Sequence, residues 1–345
     1  MRVLIVKLSS IGDVIHTLPS LYALRKGFEK KGVEARIDWL VEEAAGGILQ
    51  GHPMIDDLIV VKRGWTKNIK ENLSAAGRLK SRRYDMVLDF QGLLKSGVWM
   101  RLLNGVRKIG FSNAREFSHI FLNEKIPPYD PEKHAVERYL DLTRYALGSK
   151  VVLQEVVFPL NLTVGDRKNV LSILKSNGVP KDALFFVIIP RARWATKLWS
   201  DERFIELGKK IVDKNGLYAV LAGTESDRAA LDAIKAGIGD KAVNLAGSTG
   251  LKDLAQLFRL SRFAITVDSG PMHIAAAAGA RVIALFGPTA PWRTGPYGNG
   301  HVVLRKGLEC SPCFKKRCPD VKCMKGISVE EVFDAVTGVL RIREK

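Results

Sequence analysis

The chain has 345 residues, 46% hydrophobic and 26% charged, a balance that excludes wholesale disorder and suffices for two domains with separate cores. Its formal net charge of +18 calls for an anionic partner, which nucleic acid, an anionic membrane face or a phosphorylated substrate would each satisfy. No apolar run approaches the ~20 residues that cross a bilayer and Met1–Val6 opens no signal peptide, so a cytoplasmic protein with peripheral membrane contact is expected.

Val3-Leu4-Ile5-Val6 reads as a buried parallel strand, and residues 7–13 as a loop entering an apolar-periodic helix with Val14, Leu18, Leu21 and Leu24. Strands are expected at 36–41, 58–61 and 85–89, with helical stretches at 44–50, 67–82 and 92–104. Such alternation predicts a parallel sheet wound on both faces. Periodicity fails over 146–161, which places a domain junction there. A helix over 165–177 then precedes strands at 184–189, 218–222, 242–245, 263–267 and 282–286. Residues 328–342 read as one amphipathic helix with Val329, Val332, Phe333, Val336 and Leu340 on one face. The expected fold class is α/β, with two Rossmann-like, doubly wound parallel-sheet domains facing a cleft. The expected domains are 1–160 and 161–327, followed by a terminal helical segment 328–345. Ligands of such sheets bind at strand carboxyl ends.

The loop Lys7-Leu8-Ser9-Ser10-Ile11-Gly12-Asp13 follows the first strand directly. Glycine at a helix N-terminus admits close backbone approach, and the free N–H groups favour anions. The loop is neither a Walker loop nor GxGxxG, which counts against a P-loop NTPase and a dinucleotide oxidoreductase. Asp13 alone reads equally as a first-turn carboxylate stabilising the helix. In the second half, Asp268-Ser269-Gly270-Pro271-Met272-His273 joins a strand to an Ala-rich helix starting near Pro271. A diphosphate can dock there; a plain Asp/Ser cap beside a buried His is the competing reading. Arg191, Arg193, Thr196 and Lys197 follow another strand and can neutralise phosphate without a metal. Glu225 ends a further strand, where a carboxylate can accept from ribose hydroxyls. Cys310, Cys313, Cys318 and Cys323 share one Pro-containing segment, which suits a structural zinc or iron site, free thiols or local disulfides.

Several segments resemble the lipopolysaccharide heptosyltransferases of glycosyltransferase family 9. They are the stretch from Val3 to Pro19, Asp89-Phe90-Gln91-Gly92-Leu93-Leu94-Lys95-Ser96, His134-Ala135-Val136-Glu137-Arg138, Asp268-Ser269-Gly270 with His273, and Phe286-Gly287-Pro288-Thr289. The first and third are most similar to the type that adds the first heptose to the Kdo core. The resemblance implies a GT-B fold, an ADP-L-glycero-D-manno-heptose donor and a Kdo-lipid A acceptor. It implies that Asp13 is the general base and that Lys197 contacts the diphosphate or donor sugar. Gly12, Thr196, Glu225, Asp268, Ser269, Gly270 and His273 join Lys197 in the nucleotide-sugar set. Lys7, Ser10, Arg63, Arg115 and Arg138 form the acceptor set. Transfer would invert the anomeric centre with no cofactor required for catalysis, in a monomer bound peripherally to the cytoplasmic face of an anionic inner membrane. The rival enzyme readings are a family 9 transferase with another acceptor, lipid or protein, or another nucleotide sugar, and a nucleotide-sugar epimerase. A nucleic-acid partner is not expected, because no recognised module or aromatic-basic stripe accompanies the charge.

Overall fold

The computed structural model describes residues 1–64, 68–148 and 155–342. The chain divides into two compact units, Met1–Asn161 and Leu162–Lys345.

The first unit begins with β1 (Arg2–Val6), α1 (Ile11–Lys30), β2 (Arg36–Glu42), α2 (Glu43–Gly46) and β3 (Asp57–Val61). It continues through α3 (Ile69–Lys80), β4 (Arg83–Asp89), α4 (Leu94–Leu102), β5 (Asn104–Phe111), β6 (Glu124–Ile126) and α5 (Ala135–Leu147). Its six strands are all parallel, in the order β3-β2-β1-β4-β5-β6. Strand order reverses between β1 and β4, and a crevice at the carboxyl ends of the strands belongs at that point. Val3, Leu4, Ile5 and Val6 are fully buried, as a strand covered on both faces requires. On one face Ala75, Ala76 and Leu79 of α3 and Trp99 and Met100 of α4 pack with Leu4, Val6, Leu40 and Val87. Helix α1 packs against α5. A Cβ at Gly97 would stand 2.4 Å from the Phe121 ring, so only glycine lets α4 approach the 3-10 turn Ser118–Phe121 this closely.

The second unit begins with α6 (Val164–Ser176), β7 (Phe185–Ile189), α7 (Asp201–Asn215), β8 (Tyr218–Leu221), α8 (Arg228–Ile238) and β9 (Ala242–Asn244). Then come α9 (Leu251–Leu260), β10 (Ala264–Val267), α10 (Gly270–Ala277), β11 (Val282–Phe286) and α11 (Pro291–Thr294). The last elements are β12 (Val302–Arg305), α12 (Lys322–Lys325) and α13 (Val329–Ile342). This sheet is also all-parallel, in the order β12-β11-β10-β7-β8-β9. Counted from its own first strand it repeats the order of the first unit, and its reversal lies between β7 and β10. Helix α13 buries Val329, Val332, Val336 and Val339 in the core of this unit, packing on α7, β11 and β12.

The expected strands all form, but β5, β6, β12 and α5 were not anticipated. In β5 the apolar positions are interrupted by Arg107 and Lys108, and β6 is only three residues long. The helix expected over 44–50 stops at Gly46, where consecutive glycines make continuation unfavourable. The expected helices over 67–82 and 92–104 shorten to α3 and α4. Residue 67 of that expectation, 149–154 of the expected junction and 343–345 of the terminal segment lie outside the described residues.

Candidate active site

In the first unit the β1/β4 reversal collects a network of ionisable groups. Asp13 stands in the first turn of α1, and its Oδ2 accepts from the Ser10 backbone N–H at 2.9 Å and the Ser10 hydroxyl at 2.8 Å. The capping role is therefore realised. Oδ1 accepts from the Tyr139 hydroxyl at 3.3 Å and lies 4.0 Å from Lys7 Nζ. With its side chain 36% exposed, the carboxylate remains accessible to a ligand. Gln91 Oε1 accepts from the Leu8 and Ser9 amides, both at 3.0 Å, and so shapes the loop after β1. Asp89 is buried, accepting from the Gln91 and Gly92 amides and from Ser96 Oγ. Burial pushes its carboxyl pKa up, against the pull of those hydrogen bonds and of Lys7.

Lys7 is turned inward. It is expected among the acceptor cations, yet its side chain is 3% exposed and points inward. Its ammonium donates to the Phe90 carbonyl at 2.9 Å and the Tyr139 hydroxyl at 2.7 Å, and lies 4.5 Å from the centre of the Tyr139 ring. In this arrangement the ammonium is turned toward Tyr139 and Asp13. Burial lowers its pKa to about 8, against the pull of Asp13 and Asp89 upward, with Arg138 and Lys95 adding to the lowering. Because the folded pKa lies below the unfolded one, the unfolded chain binds more protons between about pH 8 and 10.5, and stability rises with pH across that window. The stability of wild type relative to Lys7→Met should therefore improve by about 3 kcal/mol between those limits, read from denaturant melts of both proteins.

The other acceptor candidates divide. Ser10 is exposed and its hydroxyl donates to Asp13. Arg115 is exposed, and its amide donates to the Gly92 carbonyl at 3.0 Å, tying its loop to the end of β4. Arg138 lies over the Tyr129 ring at 4.8 Å, and its buried Nε has no hydrogen-bond partner among the described residues. Arg63 lies beyond the end of β3, exposed. Gly12 is buried in the first turn of α1.

In the second unit the β7/β10 reversal brings Lys197 to Asp268, with Nζ 2.6 Å from Oδ2. Lys197 ends the 3-10 turn Ala195–Lys197 and lies 4.6 Å from the centre of the Trp194 ring. Asp268 is buried and also accepts from Thr289 Oγ1 at 2.6 Å. Ser269 is the N-cap of α10, which begins at Gly270 with Pro271 in its first turn. The buried Ser269 Oγ has no hydrogen-bond partner among the described residues. His273 is buried within α10. The amides opening this helix, a lysine and an unused hydroxyl together make an anion-binding arrangement.

The structure places the other groups expected in this unit. Thr196 is buried, and its hydroxyl donates to the Lys315 carbonyl at 2.8 Å, anchoring a loop. Arg191 is held bidentately by Asp201 at the start of α7, whereas Arg193 is exposed. Among the described residues no three His, Cys, Asp or Glu side chains group to hold a metal ion, so nothing here supports the zinc or iron expected at Cys310, Cys313, Cys318 and Cys323. Cys310 and Cys318 are exposed free thiols and Cys323 is buried. The segment is held instead by Ser311 Oγ donating to the Gly287 carbonyl and by the Cys313 and Phe314 amides donating to Pro288. Tyr139, Gln91, Asp89 and Thr289 were not anticipated as site residues; Tyr139 lies one residue beyond the His134–Arg138 segment.

Glu225 follows β8 in a 3-10 turn and is exposed. It accepts two hydrogen bonds from Arg228, each 2.7 Å, which hold its carboxyl below the ordinary range. Gly247 has φ +71°, and a Cβ there would lie 2.0 Å from Glu225 Oε2 and 3.1 Å from its Cα. Gly247→Ala is expected to destabilise by about 1–3 kcal/mol through backbone strain and the clash with Glu225; a thermal melt checks the loss.

The family model described as glycosyltransferase family 9 (heptosyltransferase) matches residues 73–324. The lipopolysaccharide heptosyltransferase 1 of Pseudomonas aeruginosa is 33% identical over 327 residues, covering 92% of this chain and 87% of that protein. The solved structure of E. coli heptosyltransferase WaaC with ADP superposes with a TM-score of 0.79 at 27% identity, over 98% of this chain and 100% of that one. The same enzyme with ADP-2-deoxy-2-fluoro heptose gives 0.77 at 27%, over 98% and 99%. Two six-stranded parallel sheets with flanking helices are the fold shared with these transferases. The chain belongs to glycosyltransferase family 9, the heptosyltransferase family of enzymes.

Proposed function

We propose that the chain transfers heptose from ADP-L-glycero-D-manno-heptose to the Kdo-containing inner core of lipopolysaccharide, with inversion at the anomeric carbon. The observation that carries the reading is the Lys197–Asp268 pair at the first turn of α10, which offers a fixed cation and helix amides to a leaving diphosphate. The relative bound to an ADP-heptose analogue and the relative named for lipopolysaccharide support the donor and acceptor classes.

In this reading Asp13 takes the proton of the acceptor hydroxyl as that oxygen attacks the anomeric carbon. The bond from that carbon to the diphosphate oxygen breaks in the same displacement, and ADP leaves with the electron pair. The negative charge growing on the diphosphate is met by Lys197 and the amides opening α10, which need no reorganisation. Ser269 Oγ supplies a further donor, and Glu225 accepts from the ribose hydroxyls. Arg115, Arg138 and Arg63 recognise the Kdo carboxylates. No helix among the described residues is long and apolar enough to cross a membrane; with +18 net charge the chain works as a monomer held peripherally on the anionic cytoplasmic face of the inner membrane.

The test is a donor panel against a synthetic Kdo-lipid acceptor, with the product linkage read by NMR. A product with inverted anomeric configuration from ADP-heptose alone is expected. Turnover with a different nucleotide sugar would remove the heptose assignment, and retained configuration would remove the single displacement.

A further inference from the structure

We infer that the outer face of the α3–α4 layer in the first unit is the surface that seats this chain on an anionic lipid bilayer, beside the proposed acceptor groups. The inference rests on the reading that the acceptor is a lipid.

Three adjacent elements expose large apolar side chains on this layer. Helix α3 shows Ile69 and Leu73, α4 shows Leu94 and Val98, and the turn after β5 shows Phe117 and Ile120. Leu73, Phe117 and Ile120 are 58%, 76% and 63% exposed. The two helical pairs are spaced i, i+4, so each forms a stripe along its helix. None of the six is needed by the core. Helix α3 buries Asn72, Ala75, Ala76 and Leu79, and α4 buries Ser96, Gly97, Trp99 and Met100.

Contacts join the three elements that carry these side chains. Helix α4 packs against both α3 and the Ser118–Phe121 turn. The Leu94 amide donates to Glu116 at 3.0 Å, and the Arg115 amide donates to the Gly92 carbonyl. Isolated exposed apolar residues are ordinary, but a contiguous set rimmed by polar groups marks an interaction surface.

Charge selects the occupant. Lys70 on α3, Arg101 on α4, Arg115 two residues before Phe117 and Arg63 after β3 are exposed. Glu71 pairs with Lys62 at 3.6 Å, and Glu116 accepts from the Leu94 amide. Apolar side chains set among cations suit a bilayer of acidic headgroups, where the former enter the acyl boundary and the latter meet phosphate. Position agrees. Ile69, Leu94 and Phe117 open or precede elements that follow strands β3, β4 and β5, so they lie at the carboxyl edge of the sheet, the edge that carries Asp13. A lipid-linked sugar whose acyl chains stay in the membrane can reach Asp13 only if that edge adjoins the bilayer.

The experiment is flotation of the full chain with vesicles of phosphatidylethanolamine and phosphatidylglycerol, and with phosphatidylcholine alone. Wild type is expected to float with the anionic vesicles only. The triple variant Leu73→Ser, Phe117→Ser, Ile120→Ser should partition at least about tenfold less, while Val164→Ser, a 71% exposed site in the second unit, floats like wild type. Hydrogen exchange of wild type on the anionic vesicles should show protection over 69–73, 94–98 and 117–120, a readout that needs no variant to fold. Equal flotation of the triple variant, no flotation of wild type, or protection elsewhere would overturn the inference. So would a drop from dimer to monomer in the triple variant, which would make the face a contact between copies. Turnover on a deacylated, water-soluble acceptor should be the same in wild type and triple variant. Transfer without flotation defeats this inference alone, and flotation without transfer defeats the functional reading alone.

Discussion

Asp13→Asn is expected to lower kcat roughly a thousandfold, within the range for loss of a general base, with little change in donor KM. The substitution keeps the side chain's size and one acceptor oxygen, so the Ser10 contacts that cap α1 can largely persist. The loss in stability should stay within about 1 kcal/mol. A large rate loss with a nearly unchanged melting temperature separates the proposed chemistry of this residue from its capping contacts. Near-normal turnover would remove Asp13 as the base and leave it a capping residue.

Lys197→Met should reduce kcat by about 100- to 1000-fold, the usual consequence of removing a fixed donor from a developing anion. This variant has a second effect. The Asp268 carboxylate, buried and otherwise receiving the Thr289 hydroxyl, loses its counter-charge, and breaking such a pair costs on the order of 3–5 kcal/mol. Adding Asp268→Asn removes the stranded charge, so the double variant should regain much of the stability while the rate stays low. Steady-state kinetics and denaturant melts on the single and double variants measure both quantities. A double variant that recovers turnover would show that Lys197 serves the fold and not the leaving group.

Much of this was legible in the sequence where one physical rule dominated. Val3–Val6 and Phe185–Ile189 are apolar at every position because both sheet faces are covered, and α13 carries its valines on one face. The strands that escaped notice obey weaker constraints. In β5, Arg107 reaches Glu124 on β6 in a two-point ion pair and Lys108 donates to the Met100 carbonyl, so charge stands where a strand pattern would show apolar residues. The edge strand β12 is half-exposed and follows the glycine-rich Gly298-Asn299-Gly300.

The candidate site was readable as loops at strand ends, but side-chain direction was not. Lys7 and Thr196 lie in the expected loops and turn inward, Lys7 onto Tyr139 and Thr196 onto the Lys315 carbonyl. Tyr139 is 132 positions from Lys7 in the chain, and only the packing of α5 on α1 joins them. The four cysteines have knuckle-like spacing at Cys310–Cys313, yet Cys323 is buried beneath Gly287 while Cys310 and Cys318 stay exposed.

The most direct test of the central claim is ADP release by the purified chain, measured with ADP-heptose and Kdo-lipid A present together and separately. Release that requires both substrates, accompanied by a product one heptose heavier than the acceptor, is the predicted result. Release at the same rate without acceptor, or none with either substrate, would contradict a transfer to the lipopolysaccharide inner core.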